Sequence, residues 1–252
     1  MKAVVLAGGL NDRPLYPGYR PGPKALVKVG GRPMLERVLE ALHPLAEVGL
    51  VGEADRLAPI AGNRRCDPGG EGLLASLQAA LEMFPDQEHV LLCTADLPLL
   101  RPQMVEQFLA LCRARPGGDL YLAMVPREYF RPPLDASRKS FIRFSDASVC
   151  HGNLALIRPS VRHNRVAMGI VDAIYESRKS GLRTALALGL RTSLLYALGV
   201  RLWHRISLDA YAAHLSRRFA LRLVPVLSAY PEVTLDVDER WDYELVERVL
   251  GA

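Results

Sequence analysis

Two glycines, a lysine and a handful of aspartates carry most of the chemistry this sequence can offer. Leu6-Ala7-Gly8-Gly9 ends a short apolar run, and Arg13 and then Pro23-Lys24-Ala25-Leu26 follow. Glycines directly after a strand leave backbone N–H groups unobstructed, so a phosphate can approach closely. Arg13 and Lys24 supply the positive charge a polyphosphate needs, the arginine as a bidentate fork and the lysine as a point charge. A plain turn beside two solvated cations is the alternative for the Gly-Gly pair alone. No Gly-Lys-Ser/Thr follows, so this is not a P-loop, and the Gly-x-Gly-x-x-Gly fingerprint of nicotinamide binding is missing.

Three further groups extend the chemistry. Gly69-Gly70-Glu71-Gly72 and Ser76 sit where a helix begins, and a Gly-rich start exposes N–H groups at the positive end of the helix dipole. Asp96 lies in Thr94-Ala95-Asp96-Leu97-Pro98-Leu99, just past an apolar strand. Ligands of open α/β sheets bind at that end, and a carboxylate there is a hard oxygen donor suited to Mg²⁺. In Thr234-Leu235-Asp236-Val237-Asp238, a strand would place Asp236 and Asp238 on one face, roughly 6–7 Å apart. Val233, Leu235 and Val237 would then face the core, and Asp238 could instead cap the helix after it. Lys139 and Arg143, followed by Gly152-Asn153, could bind an anion, with a solvated basic hairpin as the rival reading.

The elements that must position these residues alternate. Apolar patterning predicts strands over 2–7, 48–51, 89–94 and 120–125, and helices over 33–42, 72–83 and 102–114. That order argues for a parallel sheet covered on both faces. Residues 127–148 have no clear period, 149–157 read as a strand, and 162–218 as successive helices broken near Gly181, Gly189 and Ser207. Strands over 222–227 and 233–237 and a helix over 240–250 close the chain.

The run LAGG…R…PKAL…VGGRPML resembles the signature loop of the molybdopterin-guanylyltransferase-like (MobA-like) NTP transferases. The resemblance implies an α/β fold with a Rossmann-like, mostly parallel three-layer sheet; residues 162–222 match no part of the family core and read as a helical insertion near the C-terminus. The resemblance divides one domain into an NTP-binding half at 1–126, an acceptor and metal half at 127–161 and 223–252, and an insertion at 162–222. It implies transfer of a nucleoside monophosphate from an NTP, GTP or CTP among relatives, to a small anionic phosphorylated acceptor. Leu6, Ala7, Gly8, Gly9, Lys24, Gly69, Gly70, Gly72 and Ser76 would hold the nucleotide. Asp96 matches a metal-binding D-x-P segment, and Asp238, with Asp236 as second choice, would complete a Mg²⁺ site. Arg13, Lys24 and Asp96 become the catalytic set, and Asn153, beside Gly152, faces the acceptor. The loop between Gly9 and Lys24 is several residues longer than is usual in the family. A glycosyltransferase using a nucleotide-sugar and a non-catalytic nucleotide-binding relative are the rival classes.

Composition bounds the rest. The chain has 252 residues and a net charge of +5, enough for one α/β domain with an insertion. The four cysteines, Cys66, Cys93, Cys112 and Cys150, form no patterned pair, which predicts free thiols in a reducing compartment. The opening apolar run is too short for a signal core or a membrane span, so a cytoplasmic protein is expected. Residues 162–222 hold eleven Lys/Arg against three Asp/Glu. Leu194, Leu195, Leu198 and Leu202 share one helical face there, which reads as core or as a homodimer contact. The segment could also close over an anionic acceptor or lie peripherally on an anionic membrane. It lacks interleaved aromatics and any known module, so nucleic acid is not expected as a partner.

Overall fold

A computed structural model describes residues 1–70, 72–177 and 189–251. Its frame is an eight-stranded sheet. The strands are β1 (Lys2–Leu6), β2 (Glu47–Val51), β3 (Cys66–Asp67), β4 (Val90–Thr94), β5 (Leu120–Pro126), β6 (Ile142–Arg143), β7 (Ser148–Ile157) and β8 (Leu223–Leu227). Across the sheet they run β8-β5-β7-β4-β1-β2-β3, with β6 on β7. β1 pairs in parallel with β2 and β4, β2 with β3, and β5 with β8. β7 alone reverses the order, running antiparallel to β4 and β5. The connection from β5 to β7 has short turns and no crossover helix, and without a crossover the strand returns antiparallel.

The central strands are apolar throughout because both of their faces are covered. On β1, Ala3 and Val5 pack with Leu35, Val38 and Phe108, while Val4 packs on the opposite side with Leu81 and Phe84. β4 divides in the same way, Leu91 and Cys93 to one core and Val90 and Leu92 to the other. The first face is covered by α1 (Met34–Ala41) and α4 (Pro102–Arg113), the second by α3 (Gly72–Met83) with α5 (Arg165–Ser177). The expected three layers are therefore present.

Among the described residues, the remaining helices are α2 (Ala54–Ala61), α6 (Leu190–Leu194), α7 (Leu208–Phe219) and α8 (Arg240–Gly251). Helix α2 escaped the sequence reading because it is short and holds Pro59, which removes an intrahelical hydrogen bond. α6 continues into a π-helical stretch, Leu195–Leu202. The breaks expected at Gly189 and Ser207 are present: Gly189 has φ +86°, and the Ser207 hydroxyl accepts from the Ala210 amide. The break expected near Gly181 lies outside the described residues.

One element departs from expectation. Residues 233–237 form no strand; Pro231–Thr234 is a 3-10 turn, and 235–238 run on outside any ladder. Pro231 lacks an N–H for a ladder, and the Thr234 hydroxyl bonds back to the Pro231 carbonyl at 2.8 Å. The alternation survives without the strand: Val233, Leu235 and Val237 are buried, and Asp236 and Asp238 are half-buried.

All four cysteines are free thiols. Burial pushes the Cys112 thiol up to about 12 and raises Cys93 and Cys150 as well, which makes them inert packing groups. Among the described residues, no helix is long and apolar enough to cross a membrane.

Candidate active site

The carboxyl ends of β1 and β4 lie side by side, with the Ala95 amide donating to the Leu6 carbonyl at 3.1 Å. Beyond them opens a cleft of about 510 Å³. Leu6, Ala7, Gly8, Gly9, Lys24, Gly70, Gly72, Ser76 and Asp96 all line it, together with Glu53 and Thr94. Gly8 and Gly9 have no left-handed φ, and a Cβ at either would make only ordinary contacts. The protein's own packing therefore does not demand glycine there; an unobstructed backbone facing the cleft does. Gly69 differs, with φ +75° and Val51 only 2.4 Å from a would-be Cβ, so it shapes the turn beneath the cleft. Ser76 donates its hydroxyl to the Gly72 carbonyl at 3.0 Å.

The long loop after Gly9 is tied down. Leu10–Asn11 pairs with Gly22–Pro23, and the Lys24 amide donates to the Gly9 carbonyl at 2.9 Å. Leu15 is fully buried among Val29, Met34, Leu235 and Val246, and Tyr16 packs against Tyr19 and Tyr243 at 5.3 and 5.1 Å between ring centroids. This anchoring delivers Lys24 to the cleft. It delivers Arg13 to the rim, exposed and ion-paired with Glu239.

Three carboxylates converge beside Lys24. Asp96, Asp236 and Asp238 present oxygens within 4.8 Å of one another. The Val237 amide donates to the Asp96 carbonyl at 3.2 Å and so brings the two segments together. Lys24 Nζ reaches Asp96 Oδ2 at 3.2 Å and also bonds Asp238. Burial raises the Asp96 carboxyl pKa, with Lys24 opposing. Asp96 Oδ1 and the neighbouring Thr94 hydroxyl are both buried, and neither completes a hydrogen bond of good geometry. Burial alone would also raise Asp236, but Lys139 at 2.7 Å and Asn153 at 3.3 Å hold it below the ordinary carboxylate range. Hard oxygen donors this close, one of them buried and unsatisfied, fit a divalent cation such as Mg²⁺.

The residues expected on the acceptor side do not all come together. Lys139 and Asn153 are spent on Asp236 and support the carboxylate group. Arg143 lies apart, exposed on β6, where its backbone carbonyl contacts His204 Nδ1 at 3.2 Å. Gly152 is buried against Ala123 and Val233, where a Cβ would come within 3.0 Å of the Ala123 Cβ, so it serves packing. Asp238 makes no cap for α8; the side chain of Asp242 reaches back to the amides of Asp238 and Glu239 instead. Asp242, Glu239 and Glu53 were missed, since lone acids in helix starts carry no distinguishing pattern. A second depression lies below Leu99, but Arg32 there pairs with Glu40, Arg101 with Glu232, and Arg37 with the Val29 and Gly30 carbonyls.

Lys139→Met should destabilise the metal-free protein by roughly 1–3 kcal/mol, since it strips a partly buried cation from Asp236. Urea melts with and without Mg²⁺ check this: part of the loss should return with the ion. An equal loss in both conditions would separate Lys139 from the carboxylate group.

Residues 3–166 match the MobA-like NTP transferase domain. A molybdenum cofactor guanylyltransferase of Rhizobium meliloti (strain 1021) is 30% identical over 141 residues, 48% of this chain and 56% of that protein. The chain thus spans about half the length of the curated relatives it matches. A hypothetical transferase from Thermus thermophilus superposes with a TM-score of 0.78 at 32% identity, covering 96% of this chain and 98% of that one. A 2-C-methyl-D-erythritol 4-phosphate cytidylyltransferase, also from Thermus thermophilus, shares the fold at a TM-score of 0.56 and 17% identity, over 99% and 98% of the two chains. With the glycine loop, Lys24 and Asp96 lining one cleft, and Asp236 and Asp238 beside Asp96, the chain belongs to the MobA-like NTP transferase family of nucleotidyltransferases.

Proposed function

We propose that this protein transfers a nucleoside monophosphate from an NTP to a small phosphate-bearing acceptor, with Mg²⁺ and with release of pyrophosphate. The observation that carries the reading is that Gly8, Gly9, Lys24 and Asp96 line one cleft, with Lys24 bonded to both Asp96 and Asp238. An acceptor phosphate oxygen attacks the α-phosphorus in line, a P–O bond forms, and the bond to the β-phosphate bridge breaks with its electrons on pyrophosphate. The protein's task is placement and charge neutralisation, because the reactants repel each other. The Gly8 and Gly9 amides take the triphosphate, and Lys24 exchanges its carboxylates for phosphate oxygens. Arg13, freed from Glu239, covers the leaving pyrophosphate at the rim. Mg²⁺ bound by Asp96 and Asp238, with Asp236 beside them, would supply Lewis-acid stabilisation of charge on the phosphates.

On this reading 1–126 hold the NTP, 127–161 and 223–252 complete the metal site and the acceptor side, and 162–222 are an insertion in one domain. A cytoplasmic setting, where NTPs abound, suits it. GTP and CTP are the favoured donors, because a curated relative is a guanylyltransferase and a fold neighbour is a cytidylyltransferase. The test is a thermal-shift panel of ATP, GTP, CTP and UTP, with and without Mg²⁺, followed by pyrophosphate release with phosphorylated acceptors. One NTP should raise Tm only with Mg²⁺. A rise with nucleotide-sugars and with no NTP would replace this reading by a glycosyltransferase.

A further inference from the structure

The helical stretch from Leu190 to Leu202 is amphipathic the wrong way round for a segment closed into a core. Its inward side carries Thr192 and Val200, both buried, with Tyr196 packed against Phe144, Val149 and Leu208, and Thr192 bonds His214 at 3.0 Å. Its outward side is apolar. Leu194 is 48% exposed, Leu198 38%, Leu202 62% and Trp203 57%. Leu194, Leu198 and Leu202 recur every four residues through the π-helical stretch, close to one turn apart, so the three leucines stay on neighbouring sides, with Trp203 at the end of the stretch. Of the two expectations for this face, core does not hold at Leu194, Leu198 and Leu202, while Leu195 is half-buried; a homodimer contact is the other.

Arginines lie within four residues of these side chains along the chain. Arg191, Arg201 and Arg205 are all exposed. Residues 177–208 contain six Lys/Arg and no Asp or Glu. An exposed aliphatic row with an aromatic at its end, set among cations, does not suit water. A second copy of this chain would bring the same cations face to face. Nucleic acid would meet leucines where bases need stacking or hydrogen bonds. Anionic lipid answers both features: headgroups take the arginines, acyl chains take the leucines, and a tryptophan rests at the boundary.

We propose that the exposed face carrying Leu194, Leu198, Leu202 and Trp203, flanked in sequence by Arg191, Arg201 and Arg205, docks the protein on the surface of an anionic membrane. The attachment is peripheral and reversible, since no described helix can span a bilayer. It is independent of the nucleotide chemistry, for none of these residues lines the cleft.

Flotation with vesicles of phosphatidylcholine alone, and with roughly one-third phosphatidylglycerol added, tests the proposal. The full chain should float with the anionic vesicles and not with the neutral ones. Arg201→Glu with Arg205→Glu should weaken this binding roughly tenfold or more. Leu198→Ser with Leu202→Ser should weaken it comparably. All four positions are exposed, so circular dichroism and the NTP-induced rise in Tm should be unchanged in these variants. The chain has two tryptophans, so Trp241→Phe leaves Trp203 as sole reporter, and its emission should shift to the blue on anionic vesicles alone. Absence of flotation with anionic vesicles overturns the proposal. So does flotation that the leucine variants leave intact, or a dimer in solution that those variants dissolve.

Discussion

Asp96→Asn should lower turnover roughly 10²–10³-fold while leaving the empty protein at least as stable as the parent. The two halves of this result have one cause. Asp96 is almost fully buried, and its carboxyl is pushed above its ordinary pKa by that burial, so its ionised form is costly without a cation. Asparagine keeps the shape and removes the charge. Lys24 keeps Asp238 as its partner, and the contact from the Val237 amide to the Asp96 backbone carbonyl does not involve the side chain. The loss is therefore confined to what the carboxylate does for a bound cation and the reacting phosphates. Melting curves with and without Mg²⁺, beside steady-state pyrophosphate release, make the comparison. Near-parental turnover in Asp96→Asn would remove Asp96 from the metal site.

Lys24→Ala should abolish the Mg²⁺-dependent rise in Tm with NTP and reduce turnover by roughly 10²–10³-fold. In the parent, an NTP at about 100 times its Kd stabilises by roughly 2.7 kcal/mol, which for a chain of this size moves Tm by roughly 5–10 °C. Lys24 is the cation held in the cleft itself, and Asp96 and Asp238 outweigh its burial and raise its pKa, so it is charged when substrate arrives. In the empty protein the substitution leaves Asp96, Asp236 and Asp238 with Lys139 as the nearby cation, and the apo Tm should fall too. Mg²⁺ alone should then recover part of that fall. An NTP shift of parental size in Lys24→Ala would place the triphosphate elsewhere.

The layered sheet was legible because continuous apolar runs such as 89–94 need two covered faces, and the structure covers both. The convergence of Gly8, Gly9, Lys24, Gly70, Gly72 and Ser76 on one cleft was legible from their positions after strands and at a helix start, while Gly69 lies in the turn beneath it. The placement of Lys139 and Arg143 was less so. Lys139 and Arg143 lie four apart in sequence, yet the fold sends one to Asp236 and the other to the outer strand β6, and local spacing holds no sign of that division. The aspartates of 233–238 were read from alternation, which records burial faithfully but does not distinguish a paired strand from an extended segment after a 3-10 turn. The exposed leucines at 194–202 show the same limit, since helical spacing marks a face without saying what covers it.

The anchored loop from Gly9 to Lys24 bears on how the protein would meet its nucleotide. A phosphate-binding arm that is floppy before binding must surrender backbone freedom at the moment of capture, at roughly 1–2 kcal/mol for each residue fixed. Here Leu15 is fully buried and Tyr16 is wedged between Tyr19 and Tyr243, so that ordering was completed when the chain folded. Amide hydrogens of the loop should accordingly exchange slowly even without ligand, and encounter with the nucleotide need not wait for a closing motion. The anchoring of this loop is then a form of pre-organisation, in which Leu15 and Tyr16 hold Lys24 in place rather than loosen it.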